Sequence, residues 1–333
     1  MNKKIWNVLV TGGAGYIGAV LVPKLLEVGH KVTVLDLYLF GDAALSSVAA
    51  HPNLRQIKGD LRNEEAVKRS LEGCDSVIHL ACISNDPSYD LVPELGRSIN
   101  HTSFLPLVRA AKAFGVERFI YASSSSVYGV KEEPEVTEDL ELEPLTDYSK
   151  YKAVCEQELM EERAKGFVTC VVRPATVCGY SPRQRLDVIV NILTNFAVNK
   201  GAIRVFGGSQ KRPNIHIEDM ANLYLFLLQK DDLAIDGQIF NASYENHTVM
   251  QLAEIVRNVV GNDIAINIEP TDDPRSYQVS SKKVRTELGF TPTHSIEDAV
   301  NDLVAAMNDG RLINTMDDPR YFNIKLMQDT DLR

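Results

Sequence analysis

The run Thr11-Gly12-Gly13-Ala14-Gly15-Tyr16-Ile17-Gly18 lies between an apolar stretch, Ile5 to Val10, and a helical pattern from Tyr16 to Val28. Its glycines fit the spacing Gly-x-Gly-x-x-Gly from Gly13 and the spacing Gly-x-x-Gly-x-x-Gly from Gly12. In both spacings, glycine lets the backbone turn sharply after a strand and approach a pyrophosphate, which then lies at the positive end of the next helix. The run therefore predicts a dinucleotide site contacted by Gly12, Gly15, Tyr16, Ile17 and Gly18.

A carboxylate follows the glycines at the distance that such sites require. Asp36 lies near the end of a second apolar run, Lys31 to Leu37, and 18 positions after Gly18. An acidic residue about 20 positions after the glycines accepts hydrogen bonds from the adenosine ribose hydroxyls. Because the same carboxylate would repel a 2′-phosphate, the sequence predicts NAD rather than NADP.

Apolar, β-branched runs alternate with helical patterns along the first half of the chain. The strand-like runs are 5–10, 31–37, 54–58, 76–81, 118–123 and 168–173, and the helices are predicted at 16–28, 64–71, 98–114 and 148–163. This alternation predicts an α/β fold of the Rossmann type, with a doubly wound parallel sheet. Beyond Pro174 the pattern loosens, apart from a helix at 218–229 and a strand at 238–242. We expect an NAD-binding domain at 1–175, rejoined by 217–243, and a smaller, discontinuous α/β C-terminal lobe that binds substrate at 176–216 and 244–333.

Composition narrows the classes of partner. The chain has 333 residues, of which 44% are hydrophobic and 24% charged, as in ordinary globular proteins. Its formal net charge of −10 argues against nucleic acid as a partner, because binding to nucleic acid needs a basic surface. No apolar stretch approaches the roughly 20 residues of a membrane span, so no membrane interaction is expected. The five cysteines form no Cys-x-x-Cys pair, which favours reduced thiols and a cytoplasmic location.

Three polar residues downstream of the glycine run suit hydride transfer at a sugar-like hydroxyl. Tyr148 and Lys152 lie four positions apart and would share a helix face, where the ammonium favours the phenolate that a catalytic base requires. Ser124 follows a strand-like run and can hydrogen-bond the substrate oxygen. Tyr151 is a weaker candidate for the base, because the residue four positions later is Cys155.

The glycine run, the segment Ser123-Ser124-Ser125-Ser126-Val127-Tyr128-Gly129 and the pair Tyr148 and Lys152 resemble the extended short-chain dehydrogenase/reductase family, which contains the nucleotide-sugar epimerases and dehydratases. The resemblance covers nearly the whole chain. It implies NAD as cofactor, a nucleotide-diphosphate sugar as substrate and a homodimer. It also implies that further cofactor contacts come from Asp60, Leu61, Leu80, Ala81, Tyr148 and Lys152.

Three acidic residues have alternative explanations. Asp60 contacts the adenine in the family, but it could instead cap the helix that follows. Glu156 extends the pattern to Tyr-x-x-x-Lys-x-x-x-Glu, although an ion pair on the helix surface would explain it equally well. Asp219 is expected to cap the next helix rather than to contact substrate.

The residues after Ser124 discriminate among the reactions that the resemblance allows. Family dehydratases of the glucose 4,6 type carry Asp-Glu where Ser125 and Ser126 stand, and epimerases acting at C3 and C5 carry a cysteine at the latter position. Two hydroxyls cannot supply the acid and base that elimination needs. Epimerisation at C4 through a 4-keto sugar is therefore favoured. A 4-ketoreductase or dehydratase of the same family, and a non-catalytic NAD-binding sensor or scaffold, stay open as alternatives.

The resemblance also indicates how the substrate is held. Arg212 and Arg275 match family residues that bind the diphosphate, although a surface ion pair would explain either one, and guanidinium groups suit phosphate because they donate two parallel hydrogen bonds. The sugar and the base stay open. No pair of histidines with carboxylates has metal-binding spacing, so no metal is predicted. Further contacts to sugar or nucleotide are expected from Ser84, Asn85, Ser125, Thr176 and Asn191.

Overall fold

A computed structural model of the protein describes residues 4–271 and 276–329. The strands are β1 (Asn7–Thr11), β2 (Lys31–Asp36), β3 (Leu54–Lys58), β4 (Ser76–His79), β5 (Arg118–Ala122), β6 (Val168–Pro174), β7 (Thr176–Cys178), β8 (Ala202–Phe206), β9 (Lys211–His216), β10 (Gln238–Ala242), β11 (Glu245–Thr248) and β12 (Ala265–Glu269). The helices are α1 (Gly18–Glu27), α2 (Glu64–Leu71), α3 (Asp86–Leu91), α4 (Pro93–Arg97), α5 (Phe104–Ala113), α6 (Asp147–Glu161), α7 (Ile189–Lys200), α8 (Ile217–Leu228), α9 (Asp232–Ile235), α10 (Val249–Val260), α11 (Ile296–Asn308) and α12 (Asn323–Asp329).

Seven strands form one parallel sheet in the order β10-β6-β5-β4-β1-β2-β3. This arrangement confirms the predicted Rossmann-type fold. The first strand lies inside the sheet, where Val8 pairs with Val32 on one side and with Ser76 on the other. The chain moves outward from β1 in both directions, so the carboxyl ends of β1 and β4 flank the switch point at which such sheets bind ligands.

Helices cover both faces of this sheet, which explains why its strands are apolar on both sides. Val8, Leu9 and Val10 of β1 are fully buried. On one face the core includes side chains of α1 and α8, and on the other it includes side chains of α2, α5 and α6. The fold is thus a three-layer sandwich whose ligand-binding edge lies where the strands end.

A smaller lobe is built from discontinuous segments after β6. It contains a three-stranded sheet in the order β11-β9-β7 and a two-stranded parallel sheet formed by β12 and β8. Its core is formed chiefly by α7, α10 and α11. Between these segments the chain returns to the large sheet, where β10 pairs in parallel with β6.

The helix predicted at 98–114 is broken in the structure. Residues 98–102 form a π-helical turn, and α5 begins only at Phe104. Within that turn Asn100 is buried, and its side chain accepts a hydrogen bond from the Ile83 N–H over 2.8 Å and donates one to the Ile83 carbonyl over 2.9 Å. A single asparagine therefore fixes the segment that follows β4 along the ligand-binding edge.

Candidate active site

The carboxyl ends of β1 to β6 open into a cavity of about 400 Å³. These six of the seven strands each contribute to its wall through a residue at or just beyond the strand end. In the order β1 to β6, the contributing residues include Gly12, Asp36, Asp60, Ala81, Ser124 and Pro174. The cavity therefore lies where parallel α/β sheets bind their ligands.

The glycine run forms a cradle in which side chains have no room. A Cβ atom on Gly12 would lie 2.7 Å from the Cα of Ala81, and Gly12 also has a φ of +72°. A Cβ on Gly18 would lie 2.5 Å from the carbonyl oxygen of Gly13. Close backbone approach at the start of α1 is the geometry that a dinucleotide pyrophosphate requires, so these residues fit the predicted cofactor. Tyr16 and Ile17 also line the cavity.

Asp36 is held by the backbone on both sides. Its Oδ2 accepts a hydrogen bond from the Ala14 N–H over 3.0 Å, and its Oδ1 accepts one from the Tyr38 N–H over 2.7 Å. Burial raises the pKa of this carboxyl, whereas the two backbone bonds and the nearby Arg183 charge lower it. Each carboxylate oxygen has a second lone pair, so Asp36 can still accept hydrogen bonds from ribose hydroxyls in the cavity.

Asp60 and Leu61 also line the cavity. The alternative explanation of Asp60 as a helix cap is wrong, because Asn63 caps α2 by accepting a hydrogen bond from the Ala66 N–H over 2.9 Å. Asp60 instead pairs with Arg62, whose Nη2 lies 2.6 Å from the carboxylate. This ion pair lowers the pKa of Asp60 against the opposing effect of burial.

Tyr148 lies in the first turn of α6, which begins with a capping box. Thr146 accepts a hydrogen bond from the Ser149 N–H, and the Ser149 hydroxyl accepts one from the Thr146 N–H. The Thr146 hydroxyl also donates to Asp86 over 2.6 Å and so joins the start of α6 to α3. These contacts orient the Tyr148 ring in the wall of the cavity, where it is 8% exposed.

Lys152 lies one turn later on the same face of α6. Its Nζ donates to the Ala122 carbonyl at the end of β5 over 2.7 Å and lies 5.9 Å from the centre of the Tyr148 ring. The strand thus holds a buried ammonium group beside the phenol. This is the shared helix face that the spacing of the two residues predicted.

Ser124 completes the cluster from the opposite side. Its Oγ caps the short helical turn that follows β5 by accepting hydrogen bonds from Ser126, over 3.1 Å from the N–H and 2.9 Å from the hydroxyl.

Burial raises the pKa of the Tyr148 phenol, and nearby Cys82 and Asp86 raise it further. The hydrogen bond with Ser124 and the charge of Arg185 lower it. Burial has the largest effect, so the pKa of the Tyr148 phenol lies above its usual value.

Glu156 is buried, so the explanation that placed it in an ion pair on the helix surface is wrong. It is 3% exposed and forms a buried ion pair with Arg173 of β6, with Nη2 2.7 Å from the carboxylate. Ser123 also donates to this carboxylate. The glutamate of the extended pattern therefore joins α6 to β5 and β6 and holds the helix that carries Tyr148 against the sheet.

The predicted substrate contacts divide into three groups. Ser84, Asn85, Ser125 and Thr176 line the cavity. Arg212 lies on β9 and is not among the described residues of the cavity wall. Its Nη1 donates a hydrogen bond to the Lys211 carbonyl over 3.1 Å. Arg275 lies outside the described residues.

Two further predictions are corrected by buried contacts. Asn191 is fully buried, where its side chain binds the Tyr16 hydroxyl and the Gly179 N–H over 3.0 Å each, instead of lining the cavity. Asp219 does not cap α8, because His216 does so. The Asp219 carboxylate instead accepts hydrogen bonds from the N–H groups of Thr293 and His294, over 3.0 and 2.8 Å. These bonds fix the loop before α11.

Two arginines in the cavity wall were not predicted. Arg185 donates to Asp187 over 2.8 Å and to Ser84 over 3.1 Å, and its Nη2 is buried with no hydrogen-bond partner among the described residues. Arg183 lies over the ring of Phe40, 3.4 Å from its centre. Burial and the neighbouring Arg185 lower the pKa of Arg183 to about 9. Their signal in the sequence is the spacing Arg-x-Arg within the mostly polar stretch Ser181 to Asp187.

The described residues contain no group of three histidine, cysteine, aspartate or glutamate side chains that could hold a metal ion. Among the same residues, no helix is long and apolar enough to cross a membrane.

Comparisons with known proteins agree with this geometry. The model of the NAD dependent epimerase/dehydratase family matches residues 8–243. The chain is 28% identical over 320 residues to a UDP-glucose 4-epimerase of Lactobacillus helveticus, covering 90% of this chain and 95% of that protein. A UDP-glucose 4-epimerase of Thermotoga maritima, solved with UDP-glucose, has a TM-score of 0.81 at 26% identity, with 91% of this chain and 99% of that chain covered. MoeE5, solved with UDP-glucuronic acid and NAD, has a TM-score of 0.79 at 26% identity over the same shares of the two chains. This enzyme chain therefore belongs to the NAD-dependent epimerase/dehydratase family, which confirms both the resemblance and the predicted cofactor.

Proposed function

We propose that this protein is an NAD-dependent nucleotide-sugar epimerase that inverts C4 through a transient 4-keto sugar. One observation carries the proposal: Ser124, Tyr148 and Lys152 converge on a glycine-cradled cavity, and Ser125 and Ser126 follow the first of them. Hydroxyls at these two positions do not provide the acid and base that elimination requires. The similarity to UDP-glucose 4-epimerases supports the same reaction.

In the proposed mechanism the Tyr148 oxygen takes the proton of the sugar hydroxyl and later returns it. Lys152 favours the phenolate through its charge, and Ser124 hydrogen-bonds the oxygen as it changes from hydroxyl to carbonyl. NAD, when bound, supplies reversible hydride acceptance at the sugar carbon. Rotation of the keto sugar in the cavity then presents its other face, so the net reaction is inversion without net oxidation.

The cofactor and diphosphate contacts are part of the proposal. The glycine cradle would hold the NAD pyrophosphate, Asp36 the adenosine ribose, and Asp60 with Leu61 the adenine. Leu80 and Ala81 would lie beneath the cofactor. Arg212 and Arg275 would bind the sugar-nucleotide diphosphate, with the former at the start of β9.

A second candidate differs in the substrate and not in the reaction. Arg185 lines the cavity and lowers the pKa of Tyr148 by its charge, so its guanidinium lies near the reacting end. A buried donor such as its Nη2 is costly to leave unpaired, and a sugar carboxylate would pair with it. This observation favours a nucleotide uronic acid, and MoeE5 was solved with UDP-glucuronic acid.

The test is incubation of the purified protein with catalytic NAD and a panel of UDP, GDP, CDP and dTDP sugars that includes uronic acids. Products are identified by NMR, and the NADH absorbance band is followed throughout. Inversion at C4 without net NADH change is expected. Stoichiometric consumption of NADH with a 4-keto substrate would instead identify a ketoreductase, and a deoxy keto product a dehydratase. Absence of turnover with the whole panel, together with tight NAD binding, would favour a sensor or scaffold.

We further propose a cytoplasmic homodimer. The five cysteines are free thiols, as expected in a reducing compartment. Val154 on α6 and Phe114 at the end of the adjacent α5 are 40% and 42% exposed, and apolar side chains on neighbouring helices suit an interface between copies. Light scattering of the protein and of Val154→Asp tests the dimer, which the substitution is expected to weaken.

A further inference from the structure

The last described helix of the chain lies in the wall of the cavity. Asn323 and Met327, one turn apart on α12, both line it. They are 4% and 8% exposed, so both are buried against the rest of the molecule.

Asn323 supplies the polar contacts. Its Oδ1 accepts a hydrogen bond from Arg183 over 2.6 Å, and its Nδ2 donates to Ser84 over 3.0 Å. Its backbone N–H donates to Asp187 over 3.0 Å. One side chain thus connects the loop after β4 with the loop after β7, and both loops contribute residues to the cavity wall.

Met327 supplies the apolar contacts. It packs in a buried cluster with Ile83, Leu95 and Ile99, and Leu37 lies against this cluster. Leu37 directly follows Asp36, so α12 adjoins the part of the cavity assigned to adenosine. Arg183, which binds Asn323, also lies over the ring of Phe40 in the same wall.

We propose that α12 is part of the NAD site: Asn323 and Met327 form the outer wall of its adenosine half and slow the release of the cofactor. Met327 provides apolar surface for the adenosine. Asn323 acts as a positioning residue, because it holds the Arg183 guanidinium, whose Nε is buried with no partner among the described residues. An enzyme that must keep NADH while its keto intermediate rotates gains from such a wall.

The test measures NAD binding directly and needs no turnover. Asn323→Ala, Met327→Ala and a chain ending at residue 322 are compared with Gln328→Ala, an exposed position on the same helix, and with a chain ending at residue 329. Calorimetry gives the Kd for NAD, and stopped-flow displacement of fluorescent NADH gives its release rate. We expect the first three proteins to release the cofactor roughly tenfold faster and to bind it correspondingly more weakly. The two controls should match the unmodified protein.

Melting temperatures with and without NAD separate a cofactor role from a purely structural one. A reduced NAD-induced rise in Tm supports the proposal. A lower Tm without NAD, combined with an unchanged rise and release rate, overturns it. If the shortened chain fails to fold, the two point variants decide.

The inference rests on the assignment of the cavity to NAD, and Asp36→Ala distinguishes the two possible failures. If Asp36→Ala weakens NAD binding while the α12 variants do not, the role of α12 is wrong. If Asp36→Ala also leaves the Kd unchanged, the proposed cofactor site itself is wrong.

Discussion

At the scale of single residues, the proposed chemistry depends on the phenolic oxygen of Tyr148. Tyr148→Phe removes that oxygen and leaves a ring that fills the same space. Because the proton can no longer be transferred, we expect kcat to fall by at least about a hundredfold. The Kd for NAD, measured by calorimetry, should change little.

Tyr151 is the matched control on the same turn of α6. Its ring stacks on His101 at 4.9 Å and packs near Tyr89 at 6.2 Å, so it has a structural environment of its own. Tyr151→Phe should retain most of the activity. Loss of turnover in Tyr151→Phe with retention in Tyr148→Phe would contradict the assignment of the base.

The residues that sequence could predict are those whose roles follow from local spacing. Gly12, Gly18 and Asp36 belong to one strand–turn–helix–strand unit, and Tyr148 and Lys152 to one helix face. Arg183 gave only the weak signal of the Arg-x-Arg spacing, and Asn323 gave none, because their contact joins positions 140 residues apart. Only the folded chain brings such groups together.

At the scale of elements, the start of α6 links stability with activity. Thr146 caps this helix and donates to Asp86, so Thr146→Ala removes both contacts. We expect a loss of about 1 kcal/mol in the free energy of unfolding, measured in urea. Because the first turn carries Tyr148, kcat should fall as well.

Thr248→Ala provides the control, because Thr248 forms an equivalent capping box with Gln251 at the start of α10 in the smaller lobe. We expect a similar loss of stability with kcat unchanged. A parallel loss of kcat in both variants would show that general destabilisation, and not the position of Tyr148, lowers the activity.

Element positions were largely predictable because buried strands and amphipathic helices have clear periods. Strands β3 and β10 and helix α2 have the predicted bounds, and most others differ by a few residues at their ends. The break at 98–102 was not predictable, since it depends on the hydrogen bonds of Asn100 with Ile83. Helix α12 was missed for a similar reason: its burial depends on distant loops.

At the scale of the whole molecule, one buried histidine in the central sheet makes folding sensitive to acid. His79, at the end of β4, shares a hydrogen bond of 2.6 Å with Thr11, and burial, followed by the charge of Lys152, lowers its pKa to about 3. In the unfolded chain its pKa is about 6.5. Between these values only the unfolded state binds the proton. The stabilisation is therefore complete above about pH 6.5 and is lost as the pH falls towards 3.

His79→Gln tests this dependence. Unfolding in urea at about pH 7 and about pH 5 should show the unmodified protein losing about 2 kcal/mol more than the variant over this interval. Because each protein is compared with itself at the two pH values, the constant cost of the substitution cancels. Equal losses in both proteins would mean that His79 does not carry the acid sensitivity.

The return of the chain to β10 has a consequence for how the protein is made. During synthesis β6 emerges from the ribosome about 60 residues before its neighbour, and until then its backbone N–H and C=O groups form an open edge. Arg118 of β5 is likewise buried only once α8 exists, because its guanidinium binds the carbonyls of Leu227 and Leu228. Until part of the second lobe has been translated, the nascent nucleotide-binding half therefore exposes an unpaired strand edge that can pair with other chains.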